Sequence, residues 1–337
     1  MRAIVLVGGL GTRLHPLTLT VPKQMLPIGN RPMLEEVVGH LARHGIDDVV
    51  LSLGYKPDVF IASYPGGVCA GARLHYAVEP ERLDTAGAIR YAAVAAGVRE
   101  PVLVVNGDVL TDLDVGALVA FHRSTGARAT IALTPVEDPS AFGVVPTDEA
   151  GRVVAFIEKP PRDEAPTNLI NAGTYVLEPE VVSRIPEGRM VSIEREVFPA
   201  LADDGVLYAM SSTAYWLDTG TPAQYLQAHL DLLDGRRGPV PDPLDAAAEV
   251  DRTARVERSF LAAGCQVAAD AEVVESVLLH GATVGKGAAV RRSILGPGAD
   301  VGAGAVVEAL SVLGAGVEVA PGTHVAGERI PEREPGS

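Results

Sequence analysis

The chain is poor in the residues that mark several common protein classes. It has two cysteines, Cys69 and Cys265, far apart and outside any C-x-x-C spacing, which excludes a disulfide framework and a cysteine-based zinc site and fits a reducing, cytoplasmic setting. Basic residues are outnumbered, 28 Lys and Arg against 43 Asp and Glu. The net charge of −15 excludes broad nucleic-acid binding, which needs an electropositive face to displace counterions from phosphates. A phosphate site on this chain has to be locally basic. No apolar run approaches the ~18 residues that cross a bilayer, and the N-terminus lacks the pattern of a cleavable leader, so no membrane partner is expected. The string G-x-x-x-x-G-K-[ST] occurs nowhere, which removes the P-loop, and Leu14 stands where a dinucleotide fingerprint needs its third glycine.

What is present is a core-forming composition: 47% hydrophobic residues in a chain of 337, enough for one large domain and a smaller one. Ala3 to Val7 is a continuous apolar run of the kind shown by a parallel strand buried on both faces, and it empties into Gly8-Gly9-x-Gly11. Residues 33–44 place Leu34, Val37, Val38 and Leu41 on one helical face, with Gly45 as the C-cap. Residues 48–53 and 73–78 read as strands, with a short helix opened by Pro57 between them. Residues 85–96 read as an alanine-rich helix, and Val102–Val105 as a buried strand ending in Asn106-Gly107-Asp108. This alternation predicts an α/β fold whose glycine loop and Asp108 both lie at carboxyl ends of strands, facing one crevice. From residue 129 onward the strands become hairpin-like, over 130–136, 143–146 and 153–157, which predicts a second subdomain. Thr221-Pro222-Ala223-Gln224 then forms a capping box that opens a helix to residue 233.

Beyond residue 235 the period changes. Residues 236–258, rich in Gly, Pro, Arg and Asp, read as a linker. Leu261, Val267, Val273, Leu278, Val284, Val290, Leu295, Val301, Val307, Leu313, Val319 and Val325 then recur at steps of six, with two steps of five. Hexapeptide repetition marks a β-helix, in which a rung buries its apolar side chain only by stacking on its neighbours. Three hexapeptides per triangular turn predict about four turns over 259–330.

The N-terminal loop carries the densest chemistry. Glycines at 8, 9 and 11 let backbone N–H groups converge on an anion, Arg13 supplies a planar fork for phosphate, and Lys23, after Pro22, a compact charge. Asp108 and Asp218 are hard oxygen ligands of the kind Mg²⁺ takes, although each alone reads equally well as a cap or turn residue. The string G-G-x-G-T-R-L-x-P-L-T-x-x-x-P-K runs from Gly8 to Lys23. It is followed in order by Asn106-Gly107-Asp108, Phe142-Gly143-Val144-Val145, Glu158-Lys159-Pro160, Asn171-Ala172-Gly173 and Trp216-Leu217-Asp218-Thr219-Gly220. This series closely resembles the signature of the sugar-1-phosphate nucleotidyltransferases.

The resemblance implies a Rossmann-like mixed-sheet nucleotidyltransferase domain over 1–235 and a left-handed parallel β-helix over 259–330. It implies Mg²⁺ as cofactor, and a nucleoside triphosphate and a sugar 1-phosphate as substrates. Val7, Gly8, Gly9, Gly11, Thr12, Arg13, Glu79, Asp84, Thr85 and Gly87 would face the nucleotide. Arg13, Lys23, Asp108 and Asp218 would be catalytic, with the two aspartates on the metal. Gly143, Glu158, Lys159 and Asn171 would hold the sugar phosphate. Ser192-Ile193-Glu194-Arg195-Glu196-Val197-Phe198-Pro199 and the terminal repeats are most similar to mannose-1-phosphate guanylyltransferases, which points to GTP and mannose 1-phosphate. The alternatives are thymidylyl or uridylyl transfer to glucose 1-phosphate, a cyclitol phosphate substrate, and a non-catalytic regulator that binds nucleotide sugar. Self-association through the repeats is expected. One departure stands out: Leu83-Asp84-Thr85-Ala86-Gly87 occupies a segment that relatives read L-G-T-A-G, so either Asp84 or Thr85 caps the helix, or Asp84 alters base or substrate choice.

Overall fold

In the computed structural model, which describes residues 1–331, the N-terminal apolar run is the strand Ala3–Leu6, lying between two parallel neighbours. Those neighbours are Asp48–Leu53 and Val102–Asn106, in a register that puts Leu6 opposite both Ser52 and Asn106. Ala3, Ile4 and Val5 are 0% exposed, so both faces of the strand are covered and the sequence shows no polar alternation there. Ala72–Val78 adds a fourth parallel strand beyond Asp48–Leu53, with Leu53 opposite Val78.

The strands after residue 129 do not form a subdomain of their own. They extend the same sheet, which has ten strands. Leu169–Leu177 pairs antiparallel with Val102–Asn106 through Thr174–Leu177 and with Ala129–Pro135 on its other side. Where Val102–Asn106 stops, Gly143–Val144 takes its place along Leu169–Leu177, pairing at Ile170, and carries Ile157–Glu158. The strand expected over 153–157 is reduced to an isolated bridge from Val153 to Thr147 and to Ile157–Glu158, because the Val153 amide turns to the carbonyl of Leu207. The helix Asp84–Ala95 covers the sheet with Ala86, Ile89, Ala92 and Ala93.

The chain separates into two compact units, Met1–Gly9 with Leu34–Trp216, and Leu10–Met33 with the chain from Leu217 onward. In the second, helix Pro222–Leu233 is capped by Thr221, whose hydroxyl accepts the Gln224 amide, but Oε1 of Gln224 accepts that hydroxyl rather than the Thr221 amide, so the expected capping box is not closed. Its Tyr225 hydroxyl donates to the carbonyl of Pro27 at 2.6 Å, and His229 packs edge-on between Tyr225 and Phe260. The hexapeptides form a left-handed parallel β-helix of three faces, each five strands deep rather than the four turns counted from Leu261 onward. The difference lies at the first rung. Glu249–Val250 and Arg255–Glu257, within the stretch read as linker, pair with Gln266–Val267 and Glu272–Val274. A rung with a neighbour on one side only is more exposed and more charged, which hid its period.

The steps of five have a physical counterpart. At the short corners Arg258, Glu275 and Arg292 take positive φ, and each is followed by a buried serine, Ser259, Ser276 or Ser293. The hydroxyls of Ser259 and Ser276 donate to the carbonyls of Glu257 and Val274 and accept the amides of Ser276 and Ser293 on the next rung. Where the step lengthens to six, Ala309 and Leu310 both have positive φ and the ladder restarts at Ser311, whose hydroxyl accepts the Glu328 amide. Removing the Ser276 hydroxyl strands the buried Ser293 amide, while the Val274 carbonyl keeps the Arg292 amide at 2.9 Å. Ser276→Ala should therefore lower unfolding free energy by about 1–3 kcal/mol in denaturant titrations.

His229 provides a second test. Burial holds its pKa down at about 4, against 6.5 for a free imidazole, with the Tyr225 carbonyl opposing. Between these values the unfolded chain binds the proton more tightly, so stability present at pH 7 is lost as pH falls from 6.5 towards 4, by up to about 3 kcal/mol. His229→Phe should flatten that slope, read from unfolding curves at stepped pH. His40, also held near 4, retains its share.

Candidate active site

Because the four parallel strands are in register, their carboxyl ends line one edge of the first unit. Glu79 follows Val78, Gly54 follows Leu53, Val7 and Gly8 follow Leu6, and Gly107-Asp108 follow Asn106. These turns are crowded. A Cβ on Gly8 would sit 3.2 Å from both Oε1 of Glu79 and the Gly54 amide, and one on Gly54 would sit 3.0 Å from the Gly8 carbonyl. On Gly107 it would meet Val7 Cγ1 at 2.6 Å and the Leu6 carbonyl at 2.9 Å. Gly9, in contrast, has nothing within 4 Å of where its Cβ would be, so packing does not explain that glycine.

Glu79 is fixed at this edge. Its Oε1 accepts the Ser52 hydroxyl at 3.1 Å and its Oε2 the Leu83 amide at 3.3 Å. Burial pushes its pKa above the usual carboxylate value, and those two hydrogen bonds oppose the shift. Beyond it, Asp84 has φ of 59°, a left-handed conformation in which glycine is the easier residue, and its Oδ1 accepts the Thr85 amide at 2.9 Å. Thr85 does not cap the helix. Its hydroxyl donates to Oε2 of Glu194 and accepts the Ile193 amide, both at 2.8 Å. Gly87 has a packing reason to be glycine, since a Cβ would stand 2.9 Å from Leu83 Cβ and 3.2 Å from the carbonyl of Arg189.

Along the same edge lies a second group. Opposite Asn106, the strand Leu169–Leu177 is interrupted by a bulge between Asn171 and Tyr175. Gly173 has φ of 75° there, and a Cβ would strike the Asn106 amide at 2.7 Å. Asn171 holds the bulge, accepting the Gly173 amide and donating to the Tyr175 hydroxyl, both at 2.9 Å. Gly143 pairs with Glu158, and a Cβ on it would lie 2.5 Å from the Phe156 ring and 3.2 Å from Oε2 of Glu158. Lys159, at φ of 51°, pairs with Glu158 at 3.2 Å. Tyr175 is fully buried among these groups. Burial first, then the charges of Glu194, Asp108 and Glu158, push its phenol well above the usual range, while Asn171 opposes. The edge therefore collects carboxylates, and Lys159 is the cation paired within it.

The second unit holds Gly11, Thr12, Arg13, Lys23 and Asp218. Gly11 has φ of 66°, and its carbonyl accepts the Leu14 amide and the Thr18 hydroxyl, at 2.9 and 2.8 Å. A tight turn over Thr12–Leu14 follows, and another over Lys23–Met25. Arg13 Nη2 lies 3.8 Å from Oδ2 of Asp218, with the arginine 62% exposed and the aspartate 16%. Oδ1 of Asp218 accepts the Gly220 amide at 2.8 Å, and a Cβ on Gly220 would collide with the Arg13 guanidinium. Sequence reasoning passed over Gly220, Gly54, Ser52, Glu194 and Tyr175. The D-T-G string and the Leu-Gly at a strand end were available signals for the two glycines, but nothing local marks Tyr175.

A ten-stranded α/β sheet with glycine turns and carboxylates at one edge, followed by a β-helix, is the architecture of a nucleotide-sugar-forming class. The sequence pattern of the nucleotidyl transferase family matches residues 2–235, and that of the GMPPB C-terminal domain matches 241–334. The chain belongs to the nucleotidyl transferase family. A mannose-1-phosphate guanylyltransferase of Mycobacterium tuberculosis is 48% identical over 244 residues, 72% of this chain and 66% of the relative, so the match spans about two thirds of that protein. A mannose-1-phosphate guanyltransferase of Schizosaccharomyces pombe is 40% identical over 253 residues, 74% of this chain and 69% of the relative. Among solved structures, HddC from Yersinia pseudotuberculosis complexed with GMP-PN is 30% identical, with a TM-score of 0.59 covering 67% of this chain and 97% of HddC.

Helix Asp84–Ala95 has no side-chain cap, so the expected N-cap is absent, and the one hydrogen bond to the carboxylate comes from the adjacent amide, leaving a purely local role for Asp84. Replacing it with glycine removes left-handed strain and one local hydrogen bond together. Asp84→Gly should leave unfolding free energy within about 1 kcal/mol of the parent and nucleotide preference unchanged, read by denaturation and by competition between triphosphates.

Proposed function

We propose that the chain joins the nucleoside monophosphate of an NTP to a sugar 1-phosphate with release of pyrophosphate, using GTP and mannose 1-phosphate to make GDP-mannose. The observation that carries this reading is the single sheet edge on which Gly8, Glu79, Asp108, Gly143, Glu158 and Asn171 are aligned. The choice of GTP and mannose 1-phosphate follows the named activity of the relatives.

In this reading the backbone at Val7, Gly8, Gly9, Gly11 and Thr12 lies against the nucleotide, with Glu79, Asp84, Thr85 and Gly87 towards the base and ribose. Arg13 and Lys23 neutralise the triphosphate. Gly143, Glu158, Lys159 and Asn171 receive the sugar phosphate, Glu158 accepting from hydroxyls and Lys159 facing the phosphate. A phosphate oxygen of the sugar 1-phosphate forms a bond to the α-phosphorus as the α–β bridging bond breaks, and pyrophosphate leaves with that electron pair. No proton has to move.

An edge rich in carboxylates repels two polyanions unless cations intervene. Carboxylates are the hard ligands on offer, and among the described residues no three His, Cys, Asp or Glu side chains converge as a metal cage. That donor set suits Mg²⁺, which keeps its waters and takes one or two carboxylates together with substrate phosphates. Asp108 and Asp218 would hold it, and when bound it supplies charge neutralisation for the phosphates. Both cysteines are free and buried, which fits a cytoplasmic setting, and self-association through the β-helix belongs to the same reading. Among the described residues no helix is long and apolar enough to cross a membrane.

Pyrophosphate release over a matrix of nucleoside triphosphates and sugar 1-phosphates tests the proposal. The highest kcat/KM is expected for GTP with mannose 1-phosphate. A maximum with dTTP or UTP and glucose 1-phosphate would move the substrates, and nucleotide-sugar binding without turnover for any pair would leave a regulator. Asp108→Asn should reduce kcat by about 100-fold or more with a smaller effect on nucleotide binding.

A further inference from the structure

The β-helix shares a compact unit with the signature loop, and its last two rungs touch that loop at one point each. The strand Arg329–Ile330, stacked on Val312–Leu313, sends the Arg329 guanidinium to the carbonyl oxygen of Arg13, with Nη1 donating at 3.0 Å across 316 residues of sequence. On the rung beneath, Gly314 has no room for a side chain: a Cβ would lie 3.1 Å from Cβ of Pro16 and 3.1 Å from Cδ of Pro331. One contact falls within the turn that carries Arg13 and the other just after it.

Within that turn every carbonyl from Gly11 to Arg13 is engaged. The Gly11 carbonyl accepts from Leu14 and Thr18, the Thr12 carbonyl accepts the His15 amide at 3.3 Å, and the Arg13 carbonyl accepts from Arg329. The Arg13–Leu14 peptide is thereby pinned at both ends, its N–H to Gly11 and its C=O to the β-helix, and the direction in which the Arg13 side chain leaves the backbone is set. A charged donor makes the outer of these bonds strong and directional. We propose that Arg329 and Gly314 are positioning residues for Arg13, so that the last two rungs of the β-helix complete the nucleotide-binding loop. This rests on the reading of Arg13 as a triphosphate contact. Arg329 touches the loop through the backbone and is not itself a catalytic residue.

Steady-state kinetics and thermal unfolding of Arg329→Ala, Arg329→Lys, Gly314→Ala and Arg13→Ala in the full chain test it. A misplaced phosphate-binding group costs about threefold to thirtyfold when the displacement is a fraction of an ångström. Arg329→Ala should raise the KM for the nucleoside triphosphate by that factor. The KM for sugar 1-phosphate and the Tm should stay put, kcat should change less than twofold, and lysine should restore part of the loss. Gly314→Ala, pressing on Pro16, should move the same parameter in the same direction. An unchanged nucleotide KM in Arg329→Ala overturns the proposal, as does a common shift of both KM values with a lowered Tm. If Arg13→Ala is impaired while Arg329→Ala is not, only the positioning role fails. If Arg13→Ala leaves nucleotide kinetics intact, the reading of Arg13 fails and takes the positioning role with it.

Discussion

Four parallel strands that stop at one level constrain everything else in the first unit. At such an edge the last amides have no partner strand, and the chain must turn within a few residues. Gly8, Gly54 and Gly107 make the turns feasible, because a methyl group on any of them would press into backbone or into Val7. The missing side chains leave the rim lined by backbone and by the acidic groups of Glu79 and Asp108. Extending the sheet with Gly143–Val144 where Val102–Asn106 ends continues that rim to Glu158 and Lys159 without a separate domain.

The bulge at Asn171–Tyr175 shows what holding such a rim costs locally. A left-handed glycine, an amide locked at both ends and a buried phenol beside three carboxylates would each weaken a strand placed elsewhere. Here they support one another, and Phe198 packs on the Tyr175 ring at 5.0 Å to close the arrangement.

In the β-helix the governing constraint is in-register stacking, which sets equivalent positions of successive rungs side by side. Apolar residues benefit, and like charges would repel. Opposite charges accordingly meet between rungs: Arg255 pairs with Glu272, directly opposite it, at 3.1 Å, and Arg291, which stacks on Val274, reaches diagonally to Glu272 at 2.8 Å and on to Glu308 at 3.5 Å. Each exposed pair is worth little alone. The buried serines do more, because they satisfy corner amides that have no other partner inside the coil.

Periodicity and motif order made the sequence legible wherever a local rule decides. Buried strands read as apolar runs, Thr221 as a cap and the hexads as rungs. Pairing was beyond reach. The hairpin-like strands after 129 looked self-sufficient, yet Leu169–Leu177 bonds across to Val102–Asn106, since hydrogen bonding between strands far apart in sequence leaves no periodic trace. The first rung was hidden because Val250 and Val256 stand among Glu249, Asp251, Arg252, Arg255 and Glu257, a charged stretch that reads as linker. The sequence by itself determined the family and the α/β and β-helix architecture, both of which depend on residue type at fixed short spacing. Tertiary structure alone decided that Thr85 serves Glu194, that Gly220 must clear Arg13, and that Arg329 holds the Arg13 carbonyl, because those are contacts between segments whose separation in sequence says nothing about their distance in space.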